Sequence, residues 1–316
     1  PASALSNVGI FGTGQAYEQM LLRMRAHALP ESRQYADMML TELRKVIPSF
    51  LRRVDLPERG GKWSSYLATN AEQTAFLVDD MFGALEPDPV NEVELVDFDP
   101  EGENKLLAAI CYAHSHLPES QLLNRVSQLS HDEKVRLISA YVGTRENRRH
   151  KPGRAFERID YRFDVLGDYG AFRDLQRHRL LTIEWQRLTP HHGFVRPELI
   201  ADAGLGDQFD EAMERSSALY DALLPDYPSQ TPYAVSMAYR LRYVMQFNAR
   251  EAIHMLELRS SPQGHPSYRR VAIEMHRLIA EQAGHKAVAE AMTHLVKDAP
   301  ELERLDSERR AEARRK

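Results

Sequence analysis

The 316-residue chain is 43% hydrophobic and 28% charged, with a formal net charge of -5. That length and apolar content support a large buried core in one large or two ordinary domains, and the intermixed charges exclude a general nucleic-acid-binding surface. A single cysteine, Cys111, excludes an internal disulfide, and no apolar run approaches the roughly 20 residues that span a bilayer.

The opening Pro1-Ala2-Ser3-Ala4-Leu5 lacks the charged and apolar regions of a signal peptide, so a cytoplasmic protein is expected. The absence of an initiator Met implies that the chain begins inside a longer one. Helical periodicity follows over 15–27, 31–53 and 62–81, interrupted at Leu29-Pro30 and over 57–61. In this stretch Gly9-Ile10-Phe11-Gly12-Thr13-Gly14 resembles a dinucleotide loop. No strand precedes it, however, and Tyr17 occupies the third glycine's place, so it reads as an ordinary loop. A linker rich in Pro, Gly and acid over 83–89 places a boundary near residue 88, dividing a helical segment, 1–87, from a domain over 88–316.

Beyond the boundary, 93–98 reads as a strand and 104–114 as a helix holding Cys111 as a buried, inert thiol. Ser130 and Glu133 form a capping box that starts the next helix. Apolar and charged residues then alternate strictly over 158–165 and again over 181–186, and less cleanly over 239–243, the pattern of strands with one face buried. Helices are predicted at 208–223, 249–258, 267–281, 286–296 and in a charged tail, 301–316, whose Arg309-Arg310 and Arg314-Arg315-Lys316 alternate with acids as on a solvated face. Strands set among long helices without a regular βαβ alternation indicate an α+β fold. An internal repeat is also visible: residues 16–25 align with 250–259, and Pro30, Arg33, Ala36 and Met39 with Pro266, Arg269, Ala272 and Met275. A true repeat makes 1–87 the tail of an upstream, degenerate copy.

Two places concentrate chemistry. The first is Phe172-Arg173-Asp174-Leu175-Gln176-Arg177-His178-Arg179, where cations flank an imidazole between a short helix begun near Asp168 and the strand from Leu181. Such a run is either a solvated basic turn or a compact anion site, because the arginine fork matches phosphate oxygens. The second is Asn248-Ala249-Arg250-Glu251. Asn248 caps a helix whose free N–H groups suit a phosphate, His254 lies one turn beyond Arg250, and Arg259 closes the helix. An ordinary cap with surface and C-terminal arginines explains the same residues. The pairs His114/His116 and His191/His192 lack partners at metal-ligand spacing and read as turn histidines, so no metal is expected.

Taken together, these residues resemble the flavin-dependent thymidylate synthases over roughly 88–316. That family carries Arg-His-Arg-x-x-Ser-x-Asn-Glu-x-Ser-x-Arg-Tyr, then Asn-x-Arg and a Leu-x-Leu-Arg segment. Here Arg177-His178-Arg179 is intact and Thr182 keeps the first hydroxyl, but Glu184, Trp185, Arg187, Thr189 and Pro190 replace the second half. The resemblance implies a mixed or antiparallel sheet flanked by long helices. It assigns FAD binding to Arg177, His178, Arg179, Thr182, Asn248, Arg250 and His254, and nucleotide binding to Arg173, Asp174, Arg187 and Arg259. Asp174 stands where the family has Gln, and another nucleotide-binding Arg falls near Pro232, so the flavin half persists while the nucleotide half is eroded. The implied activity is reductive methylation of dUMP or a related uridylate by a homo-oligomer with sites at subunit or copy interfaces. NADPH and methylenetetrahydrofolate are the co-substrates, and no protein nucleophile is required. The erosion keeps a second reading open, a catalytically degenerate flavin-binding or scaffold protein.

Overall fold

The computed structural model describes residues 7–298 and 304–313. The opening Pro1-Ala2-Ser3-Ala4-Leu5 and the outer parts of the 301–316 helix lie outside the described residues. Two compact units divide the chain. One takes in the stretch up to Pro89 together with Asp221–Tyr233, and the other holds Val90–Tyr220 and the chain from Ala234 onward.

The first unit is helical. Helix α1 (Gly14–Ala26) starts on Thr13, whose hydroxyl accepts from the Ala16 amide, so the glycine-rich stretch before it forms a loop. Helices α2 (Pro30–Leu43), α3 (Pro48–Leu51) and α4 (Lys62–Phe82) follow. The continuous helix expected over 31–53 is therefore two. Pro48 has no N–H to extend a preceding helix, and it starts α3 instead. Leu21, Leu22, Ala36, Leu40, Leu51 and Val54 form this unit's core.

The second unit is built on a four-stranded antiparallel sheet of order β1-β2-β4-β3. Strand β1 (Val93–Phe98) leads to helices α5 (Gly102–Tyr112), α6 (Glu119–Val126) and α7 (His131–Val142), the last opened by the expected Ser130–Glu133 capping box. Cys111 is only half-buried, and burial raises its thiol pKa. Strand β2 (Asp160–Asp168) runs into α8 (Tyr169–Leu175) and β3 (Leu181–Trp185), followed by α9 (Glu198–Asp202) and α10 (Gly206–Leu223). Strand β4 (Arg240–Asn248) passes directly into α11 (Ala249–Arg259), then α12 (Pro266–Glu281) and α13 (Lys286–Glu290), with α14 (Arg304–Ala313) near the end of the chain. Both segments aligned as a repeat are thus helices followed by a proline-initiated helix.

Alternation decides the core. Tyr161, Phe163 and Val165 of β2 sit opposite Phe247, Met245 and Tyr243 of β4, all buried. The Phe163 and Phe247 rings stack at 5.6 Å. The strand expected over 239–243 continues to Asn248, because Met245 and Phe247 keep the inward alternation while Val244 and Gln246 take the other side. At the other extreme, the helix expected over 286–296 stops at Glu290, and the following backbone is used for tertiary contacts.

The chief of these contacts is a buried ion pair. Nη1 and Nη2 of Arg145 each lie 2.6 Å from a Glu257 carboxylate oxygen, with side-chain exposures of 2% and 0%. Arg145 also donates to the carbonyls of His150 and Ala291, and Glu257 accepts from the His294 amide. Removing one member strands a buried charge, at a cost of about 3–5 kcal/mol. Glu257→Ala should therefore lower the urea midpoint steeply, and an Arg145→Met, Glu257→Leu double variant should recover part of the loss. A single variant as stable as wild type would show that the pair is dispensable.

Buried histidines set an acid limit on stability. Burial pushes the imidazoles of His276 and His285 below the usual value, against opposing effects of the Ala289 carbonyl at His276 and of Glu103 and Asp99 at His285. The unfolded chain takes up these protons near pH 6.5 and the folded one only at lower pH. The stability they contribute is therefore fully present above about pH 6.5 and is lost as pH falls toward the folded values. Denaturation midpoints should fall as the pH is lowered below about 6.5, less steeply in His276→Gln, and a flat profile would contradict this.

Candidate cofactor and nucleotide site

Sheet register brings the two chemical segments together. Leu181 of β3 pairs with Phe247 of β4 and Thr182 with Gln246, so the turn carrying Arg177-His178-Arg179 lies beside the β4–α11 junction. Both junctions are fixed by caps. Asp168 accepts from the Ala171 amide at 2.8 Å to start α8, and Asn248 accepts from the Glu251 amide at 2.9 Å to start α11.

His178 is the centre of the cluster. Its buried ring meets Glu251 Oε1 through Nδ1 at 2.9 Å and Arg259 Nε through Nε2 at 3.0 Å. Because arginine only donates, Nε2 must accept, and the ring proton belongs on Nδ1, facing the carboxylate. Arg259 is further held by Asp174 Oδ1 at 3.5 Å from Nη1 and lies over the Tyr268 ring at 5.4 Å. The result is an oriented line, Glu251–His178–Arg259–Asp174. His254 packs its ring edge against His178, with centroids 5.6 Å apart. Burial lowers its pKa, and Lys151, His178 and Arg148 add to the effect while Glu251 opposes it.

His178, Glu251 and His254 bring potential ligand atoms within 4.8 Å of one another. A cation there would face the Arg259 guanidinium, which already occupies His178 Nε2, so the trio is better suited to orienting an arginine than to holding a metal.

The remaining residues divide. Arg177 and Arg179 are exposed, with Arg177 Nε 3.6 Å from Asp174 and Arg179 without a protein partner among the described residues. Thr182 and Arg187 are exposed on and after β3. Arg173 is exposed and approaches the Met237 sulfur at 3.6 Å, while Arg250 donates to the Pro152 carbonyl at 2.8 Å and to Glu157 at 3.1 Å. Of the histidines read as turn residues, His192 meets Gln186 at 3.2 Å and His191 lies against Tyr220. Two components escape sequence reasoning: Glu251 as the partner of His178, which looks like an ordinary capping residue, and the loop over 144–153 that packs along α11. The density of cations in Arg145-Glu146-Asn147-Arg148-Arg149-His150-Lys151 is the signal that could have found the loop.

The ring tautomer gives a direct test of the line. In protein labelled with nitrogen-15 at histidine, His178 should show a protonated Nδ1 and an unprotonated, accepting Nε2. Glu251→Gln keeps a carbonyl acceptor and should preserve this state, whereas Glu251→Leu should scramble it and cost about 1–3 kcal/mol for the unsatisfied donor. A wild-type ring protonated on Nε2 would rule the arrangement out.

Comparison with known proteins places these observations in a family. The sequence profile described as "Thymidylate synthase complementing protein" (Thy1) matches residues 94–284. A UPF0159 protein of Chlamydia pneumoniae is 36% identical over 283 residues, covering 89% of this chain and 53% of that protein. Relatives of the same designation are 34% identical in Chlamydia muridarum, over 99% of this chain and 59% of theirs, and 32% identical in Thermoplasma acidophilum, over 87% and 54%. The chain thus spans about half the length of the curated relatives it matches. Among solved structures, a UMP/dUMP methylase, PolB, from Streptomyces cacaoi bound with 5-Br dUMP superposes with a TM-score of 0.49 at 18% identity, covering 66% of this chain and 97% of that one. On the profile match and these relatives, the chain belongs to the thymidylate synthase complementing protein family.

Proposed function

We propose that this chain forms part of a flavin-dependent thymidylate synthase-like enzyme that binds FAD and methylates dUMP or a related uridylate, with methylenetetrahydrofolate and NADPH as co-substrates. The observation that carries this reading is the convergence of the exposed Arg177 and Arg179 with the line Glu251–His178–Arg259, whose first two members are buried, at one end of the sheet. The arrangement fits a phosphorylated cofactor. Arg179 is uncommitted, and Arg177 is bound only by a long contact to Asp174.

When bound, the flavin supplies the hydride chemistry. The chain's own residues bind and orient. Arg177 and Arg179 hold phosphate oxygens, Asn248 keeps the α11 N-terminus ordered beside them, and His178 fixes the Arg259 guanidinium so that its free donors meet the planar edge of a uracil. Family membership, the matched Asn248 and Arg250, and the intact Arg-His-Arg triplet support the same assignment. Division of the two binding roles between copies or subunits belongs to this proposal.

A second reading, a flavin-binding scaffold without activity, has its own support. Thr189 stands at an expected phosphate-binding Arg and its hydroxyl accepts from the His191 amide, while Pro232 stands near another such position, in a 3-10 turn over Thr231–Ala234. Flavin occupancy tests what the two readings share. Protein purified with FAD should absorb near 450 nm, and an Arg177→Ala, Arg179→Ala double variant should lose at least about a hundredfold in FAD affinity, from two charge-assisted contacts of roughly 1.5–3 kcal/mol each. Undiminished affinity in that variant would refute the assignment. Tritium release from dUMP labelled at C5 then separates the enzyme from the scaffold.

A further inference from the structure

We infer that the free edge of β1 and helix α12 form a slot for the C-terminal tail of a partner polypeptide, bound as an added strand with its carboxylate at Arg270. Strand β1 is an edge strand, because the sheet order is β1-β2-β4-β3. A cavity of about 590 Å³ runs along it, lined by every residue from Asn91 to Val96 and by one face of α12. Successive strand residues point to opposite sides of a sheet, so all of them line one cavity only where it follows the strand's edge. The volume is in the range of ligand-binding clefts. At about 3.3 Å per residue, the strand offers room for about five residues of extended chain.

The edge is unpaired where the cavity meets it. The Glu92 carbonyl accepts from the Leu166 amide at 2.8 Å, toward β2, and alternation along an antiparallel pair turns the backbone of Val93 and Leu95 the other way. There the Leu95 carbonyl accepts from Gln282 Nε2 at 2.9 Å. The Leu95 amide and both backbone groups of Val93 are left to face the slot, and an extended main chain is their complement.

One end of the slot is blind. Gln282 meets Leu95, and His285, three residues on, meets Tyr161, which pairs with Phe98 at 2.8 Å from the ring to the hydroxyl. Helix α12 therefore runs alongside β1 in the same sense, and Arg270 lies toward the start of the strand. Ala171 of α8, Val195 and Arg240 wall the cavity at that end, whereas β1 and α12 alone line the other. A chain entering from the open side must stop at the wall, as a terminus does. Charge then sets its direction. Glu92 is paired with Arg240 at 3.2 Å, Glu274 with Arg277 at 2.6 Å, and Asp168 and Glu94 accept from the amides of Ala171 and Asn91. Arg270 is exposed and has no partner among the described residues. A strand added antiparallel to β1 brings its terminal carboxylate to this guanidinium, and a parallel one would bring an amine. Asn248 and Arg240 stand at opposite ends of the β2–β4 ladder, so the slot is remote from the Asn248 junction and independent of the proposed function.

Fluorescence anisotropy tests the slot with labelled pentapeptide pools, randomised in sequence and carrying either a free or an amidated C-terminus. Wild type should bind the free-acid pools at least about tenfold more tightly than the amides, and Arg270→Ala should lose at least about tenfold. Arg136→Ala, on exposed α7 surface, should match wild type, and neither variant should shift in denaturation midpoint. N-methylation of alternate peptide amides should abolish binding in one phase and spare it in the other, because only every second residue pairs with the edge. Wild type that binds no pool overturns the inference, as does equal tolerance of both N-methyl phases or full affinity in Arg270→Ala. Equal binding of the amidated pools would give the slot to an internal strand, and a wild-type dimer in sedimentation that Arg270→Ala dissolves would give it to a second copy. Either result overturns a chain terminus as the occupant.

Discussion

The buried pair of Arg145 and Glu257 is the contact on which the second unit's chemistry depends. A guanidinium and a carboxylate removed from water are tolerable only when every donor and acceptor is matched, and the matching here recruits backbone from two separate stretches, the loop after α7 and the segment after α13, around a side chain of helix α11. Satisfying one charge pair thus fixes the loop against the helix that carries His254 and Arg259. An apolar contact could bury the same area without specifying which carbonyl meets which donor.

A similar economy governs the cluster at the sheet's end. Glu251 is at once a helix-capped residue and the acceptor that sets the His178 proton, and His178 in turn orients Arg259. Fixed tautomers and restrained guanidinium groups reduce the entropy lost when a planar ligand binds. The exposed Arg177 and Arg179 beside them carry no such restraint. Buried members supply geometry and exposed members supply charge, a division suited to a ligand with one rigid ring and one anionic tail.

The chain belongs to the thymidylate synthase complementing protein family and spans about half the length of the curated relatives it matches. The helical unit before Val90 has its own small core around Leu21, Ala36 and Leu51, so it is organised independently of the sheet.

The sequence by itself determined the elements whose signal is local. Strict alternation over 158–165, the caps at Ser130 and Asn248, the helix start near Asp168 and the cationic triplet at 177–179 were legible because period, cap and charge are properties of adjacent residues. Where the reading failed, a tertiary contact had won: β4 runs on to Asn248 because β2 offers partners along its whole length, and α13 stops at Glu290 before backbone that Arg145 and Glu257 use. Only the tertiary structure decided that Glu251 serves His178, that Arg250 holds a loop, and that Arg145 reaches a carboxylate 112 residues away. Charge pairing over such separations leaves no periodic trace in a single sequence. It is specified by the sheet register and the loop path that bring the partners within reach.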